Sequence, residues 1–208
     1  MVDVQLAKRG ICDARVLDAL MRVPREEFVS LELAELAYDD CPLSIGEGQT
    51  ISQPYIVAFT AAALELQTGE RVLEVGTGSG YAAAVLSHLA EEVYSVERVP
   101  SLCAAARERL NRLGYLNVHV VCGDGSLGLK AHAPYAAIAV AAVGPTPPPA
   151  LLEQLSIGGR LVMPIGPDSS QTLVRLTRTG GTSYREEPLA DVRFVPLIGA
   201  QGFDAHAR

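Results

Sequence analysis

Cysteine and histidine are too scattered in this sequence to signal a metal site. The four cysteines, Cys12, Cys41, Cys103 and Cys122, lie far apart, and none forms a Cys-x-x-Cys pair. The four histidines are equally dispersed. Zinc sites and redox motifs need closely spaced ligands or thiols. We therefore predict no bound metal and interpret the cysteines as reduced, mostly buried thiols.

Long apolar runs and clusters of basic residues are also missing. The longest apolar stretches, residues 55–64 and 136–143, are far shorter than the roughly 20 residues that cross a bilayer. The formal net charge is -7, and lysine and arginine are nowhere concentrated as phosphate binding requires. The amino-terminal sequence lacks the features of a secretory signal. We expect a cytoplasmic monomer without membrane or nucleic-acid partners.

The composition favours one ordinary hydrophobic core. The chain has 208 residues, of which 49% are hydrophobic, and a chain of this size buries roughly 70% of its unfolded surface. We predict a single domain over residues 1–208. Residues 1–53 are expected to form a helical cap and a loop, and residues 54–208 the core.

The cap is predicted to be helical, without strands. Apolar residues recur at helical spacing after Asp13, which is the predicted N-cap, and Pro24 is expected to stop the helix. Residues 44–54 are polar and punctuated by glycine, so we predict a loop there. This loop leads into an apolar helix over residues 55–66, and long loops of this chemistry are often functional.

After Gly69, short apolar or β-branched runs alternate with helical patterns. The predicted strands span residues 71–75, 93–97, 118–121, 135–140 and 160–164, and the predicted helices span residues 81–89, 100–113 and 149–155. This alternation indicates a Rossmann-like, doubly wound α/β fold with a mostly parallel sheet. Strands over residues 172–178 and 192–197, separated by the turn at residues 179–182, are predicted to form an antiparallel carboxy-terminal edge.

Three glycines at every second position separate the first core strand from its helix. The segment reads Glu74-Val-Gly76-Thr-Gly78-Ser-Gly80. Glycine lets the backbone turn sharply and approach a ligand closely, and ligands bind at the carboxyl ends of strands in open α/β sheets. A dinucleotide fold would show Gly-x-Gly-x-x-Gly instead. The spacing resembles motif I of the S-adenosylmethionine-dependent methyltransferases.

Two further acidic residues follow the next predicted strands. Glu97 ends the second strand, where a carboxylate can accept hydrogen bonds from both ribose hydroxyls. Asp124 follows the third strand within Cys122-Gly-Asp-Gly. The methyltransferase resemblance places such an aspartate beside the adenine amino group, while Asp and Gly by themselves indicate only a turn.

A second motif narrows the resemblance. The segment Gly46-Glu-Gly-Gln-Thr-Ile-Ser-Gln-Pro54 and motif I together resemble the protein-L-isoaspartate O-methyltransferases, and the likeness extends from residues 23–29 to residues 192–197. The resemblance implies methyl transfer from S-adenosylmethionine to the α-carboxylate of isoaspartyl residues in damaged proteins and peptides. The resulting ester collapses to a succinimide that can reopen as normal aspartate, so the implied role is protein repair.

The resemblance also assigns roles to residues. It implies that Ser52 is the catalytic residue and that the segment from Ile45 to Gln49 lies against the cofactor. The predicted cofactor-binding residues are Ile45, Gly46, Glu47, Gly48, Gln49, Thr50, Glu74, Gly76, Thr77, Gly78, Gly80, Glu97, Arg98, Asp124 and Gly125.

Alternatives remain open for the serine and for the substrate. Ser52 precedes a helix start, where serine commonly caps backbone N–H groups. Ala136 replaces the aspartate that family members commonly carry on the fourth strand, so a carboxylate or small-molecule O-methyltransferase with another dedicated substrate is the second hypothesis. The third is a cofactor-binding protein without turnover. The terminal strand signal at residues 192–197 further predicts main-chain contacts to an extended peptide.

Overall fold

A helical cap opens the chain, as the sequence predicts. The computed structural model describes residues 1–167 and 169–204, so His206 and the last positions of the predicted domain lie outside it. Helix α1 spans Ala14–Arg22, and the Asp13 carboxylate caps it by accepting bonds from the backbone N–H groups of Arg15 and Val16. The helix ends before Pro24. Both the cap and the stop are therefore confirmed.

The segment predicted as a strand-free loop contains a small hairpin. Strand β1 spans Leu43–Gly46 and strand β2 spans Gln49–Ile51, and the two pair antiparallel. Glu47 adopts a left-handed backbone (φ 54°) between glycines that do the same, so the chain reverses over a tight turn. The loop prediction was wrong because these strands are too short to show a clear alternation.

The remaining strands form one seven-stranded sheet. Its strands are β3 (Arg71–Val75), β4 (Glu92–Glu97), β5 (Val118–Cys122), β6 (Tyr135–Val140), β7 (Leu155–Ile165), β8 (Gln171–Arg178) and β9 (Tyr184–Val192). The other helices are α2 (Pro54–Ala63), α3 (Tyr81–Ser87), α4 (Pro100–Arg112) and α5 (Pro149–Glu153). The predicted Rossmann-like α/β class is confirmed.

The strand order creates a crevice at one edge of the sheet. The order is β5-β4-β3-β6-β7-β8-β9, with β3 to β7 parallel and β8 and β9 antiparallel. From β3 the chain first builds outward to β4 and β5, then returns to place β6 on the other side of β3. Ligands bind at such reversal points, outside the carboxyl ends of the strands.

The carboxy-terminal edge differs from its prediction in position. The antiparallel partner of β8 is Tyr184–Val192, and residues 193–197 continue beyond the end of β9 without forming a strand. The turn at residues 179–182 is where the sequence predicts it. Because β9 is the outer strand of the sheet, it carries exposed charged side chains that hide the apolar pattern of a strand.

The cysteines do not form a set of buried, reduced thiols. Cys103 in α4 and Cys122 at the end of β5 form a disulfide, with Cα atoms 5.7 Å apart. Of the two free cysteines, Cys12 is exposed and Cys41 is half-buried. The interpretation failed because helix packing brings together two cysteines that are 19 positions apart in sequence.

Candidate functional site

The glycine turn after β3 has the backbone that only glycine adopts easily. Gly76, Gly78 and Gly80 all have positive φ, at 93°, 53° and 91°. A Cβ on Gly76 would lie 3.4 Å from the Ala141 side chain, and one on Gly78 would lie 3.2 Å from Ile45 Cδ1. The turn therefore packs closely against β6 and the β1–β2 hairpin, with little room for side chains.

Glu97 fixes this turn from the neighbouring strand. Glu97 is 6% exposed as a residue, and its carboxylate accepts hydrogen bonds from the backbone N–H of Gly78 at 2.8 Å and of Val99 at 2.9 Å. Each carboxylate oxygen has a second acceptor position beyond these bonds. Glu97 therefore positions the turn and can still accept hydrogen bonds from a ligand.

Glu74 is buried beneath the turn rather than beside it. Ser95 donates its hydroxyl proton to the Glu74 carboxyl, and Thr77 and Ser95 hydroxyls lie 2.5 Å apart. Burial raises the pKa of Glu74 to about 8, the Ser95 bond opposes the rise, and the charge of Glu97 adds to it. Burial therefore favours the protonated form of Glu74.

A cleft opens between the glycine turn and the carboxyl ends of β4 and β6, and we term it the glycine-turn cleft. Its lining residues are Gln49, Val75, Gly76, Gly78, Val96, Glu97, Arg98, Val99, Gly125, Ala141, Ala142, Val195, Pro196, Leu197 and Ile198. Six of the residues predicted to bind the cofactor belong to this lining: Gln49, Gly76, Gly78, Glu97, Arg98 and Gly125.

The other predicted cofactor residues surround the cleft without lining it. Ile45 and Gly46 line a groove on the far side of Gly78. Glu47 accepts a hydrogen bond from Ser101 in α4 at 2.8 Å, so the hairpin tip that also holds Gly48 is fastened to the start of that helix. Thr50 and Glu74 are sequence neighbours of lining residues, and Thr77 and Gly80 lie inside the glycine turn.

Asp124 directly precedes Gly125 in sequence but does not itself line the cleft. Its carboxylate accepts bonds from the N–H and the hydroxyl of Ser126, and from the N–H of Ala200 at 2.7 Å. Burial opposes its ionisation, but these bonds outweigh that effect and lower the pKa of Asp124. The carboxylate thus caps the local turn at Ser126, which the turn interpretation of Asp and Gly predicts, and also holds the distant turn at Ala200, which that interpretation did not predict.

Ser52 lines two cavities, an inner one and an open groove. It lines an inner cavity together with Glu74, Thr60 and Phe194. It also lines an open groove, the Ser52 groove, formed by Pro42, Thr50, Ser52, Gln53, Ile56, Ala141, Asp191, Val192, Arg193, Phe194 and Val195. Ala141 and Val195 belong to both the Ser52 groove and the glycine-turn cleft, so the two spaces adjoin.

The interpretation of Ser52 as a helix cap is wrong. The N-cap of α2 is Gln53, which makes no side-chain capping bond. Asp40 satisfies the helix start instead, since its Oδ1 accepts from the Tyr55 N–H at 3.0 Å. The Ser52 side chain is therefore not needed to begin the helix.

Ala136 does not line any of these cavities. It occupies the amino-terminal part of β6, next to Ala137, which pairs with Val72 and Arg160. Ala141 follows the other end of the strand, about 16 Å away at the usual rise of about 3.3 Å per residue. The residue that motivates the second hypothesis therefore does not line the Ser52 groove or the glycine-turn cleft.

Sequence reasoning missed the side of the cleft that β6 supplies. Ala141 and Ala142 directly follow β6, and the buried β6 neighbours β3 in the sheet. The signal was available, because the carboxyl end of the fourth strand adjoins the glycine turn in a sheet of this order. Residues 193–198 also line the cleft and groove, although they do not form the predicted strand.

The reversal of strand order at the glycine turn, with acidic residues at the ends of β3 and β4, defines a Rossmann-like, S-adenosylmethionine-dependent methyltransferase of class I. The protein-L-isoaspartate(D-aspartate) O-methyltransferase model matches residues 1–202. This chain belongs to that family.

Individual relatives agree over nearly the whole chain. The protein-L-isoaspartate O-methyltransferase of Protochlamydia amoebophila is 56% identical over 204 residues, covering 98% of this chain and 97% of the relative. A solved protein-L-isoaspartate O-methyltransferase has a TM-score of 0.85 at 33% identity, and the match covers 94% of this chain but 64% of that chain. A Plasmodium falciparum structure described as a beta-aspartate methyltransferase, in complex with S-adenosyl-L-homocysteine, has a TM-score of 0.79 at 27% identity, over 92% of this chain and 94% of that one.

None of the helices within residues 1–167 and 169–204 is long and apolar enough to span a membrane. Over the same residues, no three His, Cys, Asp or Glu side chains are grouped as metal ligands.

Proposed function

We propose that this chain transfers the methyl group of S-adenosylmethionine to the α-carboxylate of L-isoaspartyl residues in damaged proteins and peptides. The observation that carries the proposal is the junction at Ala141 and Val195, where the glycine-turn cleft meets the Ser52 groove. One space suits the methyl donor and the other suits an extended peptide. The reaction takes place where they meet.

The residues of the cleft suit the donor. The glycine turn offers close backbone approach, and the Glu97 oxygens keep acceptor capacity for ribose hydroxyls. Gln49, Arg98 and Gly125 complete the proposed contacts. When bound, S-adenosylmethionine supplies an electrophilic methyl group on a sulfonium.

The chain needs no general base for this chemistry. A carboxylate with a pKa near 4 is already ionised at neutral pH, so it would need no deprotonation to accept the methyl group. The methyl–sulfonium bond would break as the new carbon–oxygen bond forms, and S-adenosyl-L-homocysteine would leave as the neutral thioether. The task of the protein is to hold the anion in line with the sulfonium and to exclude water. Such positioning is worth roughly 7–11 kcal/mol.

Ser52 is proposed to orient the substrate carboxylate by donating a hydrogen bond, not to act as a nucleophile. Ser52→Ala should lower kcat by roughly tenfold or more and leave the affinity for S-adenosylmethionine, measured by calorimetry, nearly unchanged. Because Ser52 does not cap α2, thermal stability should hold, whereas Asp40→Ala should cost about 1 kcal/mol as loss of a helix cap. A Ser52→Ala enzyme with normal turnover and reduced stability would contradict this role.

The segment Asp191–Val195 is proposed to bind the peptide main chain along the Ser52 groove. Arg193→Ala should raise the Michaelis constant for an isoaspartyl peptide. Arg185→Ala is the matched control, since Arg185 lies in β9 outside the groove and its side chain is 65% exposed. If both variants and the wild type have equal Michaelis constants, the segment does not take part in peptide recognition.

A pair of peptides separates repair from methylation of another dedicated substrate. Labelled methyl groups should enter an isoaspartyl peptide and not its normal aspartyl twin. Uptake into neither peptide would overturn the proposed repair function. Ala136 gives the alternative little support, because it lies about 16 Å along β6 from Ala141.

We further propose that the chain acts as a single-domain monomer in the cytoplasm, without nucleic acid as a partner. The dispersed charge, formally -7, supports the last point. Sedimentation at several protein concentrations tests the monomer, and a concentration-dependent increase in mass would contradict it.

A further inference from the structure

Arg25 is a fully buried charged residue outside the cavities described above. It begins the 3₁₀ turn Arg25–Phe28, directly after Pro24, and has 0% relative exposure. Among residues 1–167 and 169–204, no carboxylate forms a salt bridge with it. Burying a charge without an ionic partner costs free energy unless hydrogen bonds offset the cost, so the hydrogen bonds of Arg25 are of interest.

The Arg25 guanidinium joins two separate chain segments through their carbonyl groups. Its Nε donates to the Ala37 carbonyl at 2.7 Å, and its Nη2 donates to the Ser52 carbonyl at 2.9 Å. The planar guanidinium fixes both bonds in one geometry, which a lysine ammonium cannot do. Arg25 thus ties the Ser52 backbone to the helical cap.

The same guanidinium contacts the helix that follows the glycine turn. Its central carbon lies 4.6 Å from the centroid of the Tyr81 ring, and Tyr81 is the first residue of α3, directly after Gly80. The face of an aromatic ring attracts a cation. Arg25 therefore connects the serine segment to the helix that begins directly after the glycine turn.

The Ser52 hydroxyl depends on such support. Within the described part of the chain, no hydrogen bond to this hydroxyl is formed, so the local backbone sets its direction. On the other side of Ser52, Asp40 fixes the chain by accepting from Gln53 Nε2 at 2.7 Å and from the Tyr55 N–H. Arg25 is the anchor on the Ser52 carbonyl itself.

We propose that Arg25 is a positioning residue for methyl transfer: its guanidinium holds the Ser52 carbonyl and so aims the Ser52 hydroxyl at the substrate carboxylate. This inference rests on the proposed role of Ser52. According to this inference, a buried residue of the helical cap affects the reaction through its hydrogen bond to the Ser52 carbonyl.

The test is a double-mutant cycle with Arg25→Gln and Ser52→Ala, assayed on an isoaspartyl peptide. Arg25→Gln should lower kcat about tenfold while the dissociation constant of S-adenosylmethionine stays within about twofold. In the Ser52→Ala background the same substitution should cost less than about twofold more, since the hydroxyl that it positions is already gone. Arg25→Lys, which keeps the charge and one donor direction, should recover part of kcat.

Arg160→Gln is the matched control for loss of a structural arginine. Arg160 also donates to a carbonyl, that of Leu64 at 2.7 Å, and Leu64 follows the end of α2 opposite to Ser52. The Arg160→Gln variant should lose thermal stability and keep kcat within about twofold of the wild type. If Arg25→Gln costs the same factor in kcat with and without the Ser52 hydroxyl, the positioning role is refuted.

Failure of the proposed function gives a different pattern. A wild-type enzyme that does not methylate the isoaspartyl peptide refutes the repair activity, and a wild-type-like Ser52→Ala refutes the serine role. Both are seen before any Arg25 variant is made. Should Arg25→Gln fail to fold, the cycle is run with Arg25→Lys, where an equal loss in both backgrounds again refutes the inference.

Discussion

The buried carboxyl of Glu74 should make the stability of the ligand-free protein depend on pH. Glu74 is 1% exposed, and burial raises its pKa from the ordinary 4.5 to about 8. Between these values the folded chain keeps a proton on Glu74 that the unfolded chain has released. The folded state therefore binds more protons, and its stability falls as pH rises through this interval.

The size of the effect follows from the width of the interval. Each pH unit between 4.5 and about 8 costs about 1.4 kcal/mol from this one group, and the whole interval about 5 kcal/mol. Glutamine cannot ionise and keeps an oxygen for the Ser95 hydroxyl. The unfolding free energy of Glu74→Gln, relative to the wild type, should therefore rise by about 1.4 kcal/mol per pH unit from pH 5 to pH 8 and then level off.

Urea unfolding of both proteins at a series of pH values measures this difference, and groups that titrate equally in both cancel. Glu32→Gln, at an exposed glutamate of the cap, is the control for removal of a carboxylate. A constant difference between Glu74→Gln and the wild type from pH 5 to pH 8 would show that Glu74 is charged in the folded protein and would refute the reasoning.

Two other predictions concern the packing of Gly125 and the disulfide between α4 and β5. Gly125→Ala should lower the unfolding free energy by about 1–3 kcal/mol and weaken S-adenosylmethionine binding in calorimetry, because its Cβ would lie 2.5 Å from Val75 Cγ1. Gly123→Ala, with nothing within 4 Å of its Cβ, is the control, and equal losses in both would contradict the packing argument. Reducing the disulfide between α4 and β5 should cost about 3 kcal/mol in urea unfolding. The reductant should have no effect on Cys122→Ser, and a similar loss there would contradict a disulfide origin.

The central strands could be predicted because burial on both faces leaves a clear pattern. β6 is a continuous apolar segment, and β3 is apolar except for Arg71 and Glu74; the predicted bounds for both match the structure. The glycine turn was equally clear, since its spacing reflects a backbone need and not a side-chain preference. The rule that ligands bind at the carboxyl ends of strands then predicted the position of the cleft.

The elements that failed are those whose pattern depends on distant neighbours. β9 carries Glu186 and Glu187 on an outer edge, so its residues resemble a loop. The apolar residues after it line the cleft and pair through isolated bridges, such as the one between Pro196 and Val143. The disulfide needs α4 packed on β5 before Cys103 and Cys122 can meet. Arg25 offered no signal either, because a charged residue in sequence is expected at the surface.

Ala141 and Val195 form a wall that the glycine-turn cleft and the Ser52 groove share. Under the proposed function, the donor and the damaged polypeptide therefore occupy separate spaces and meet only at this wall.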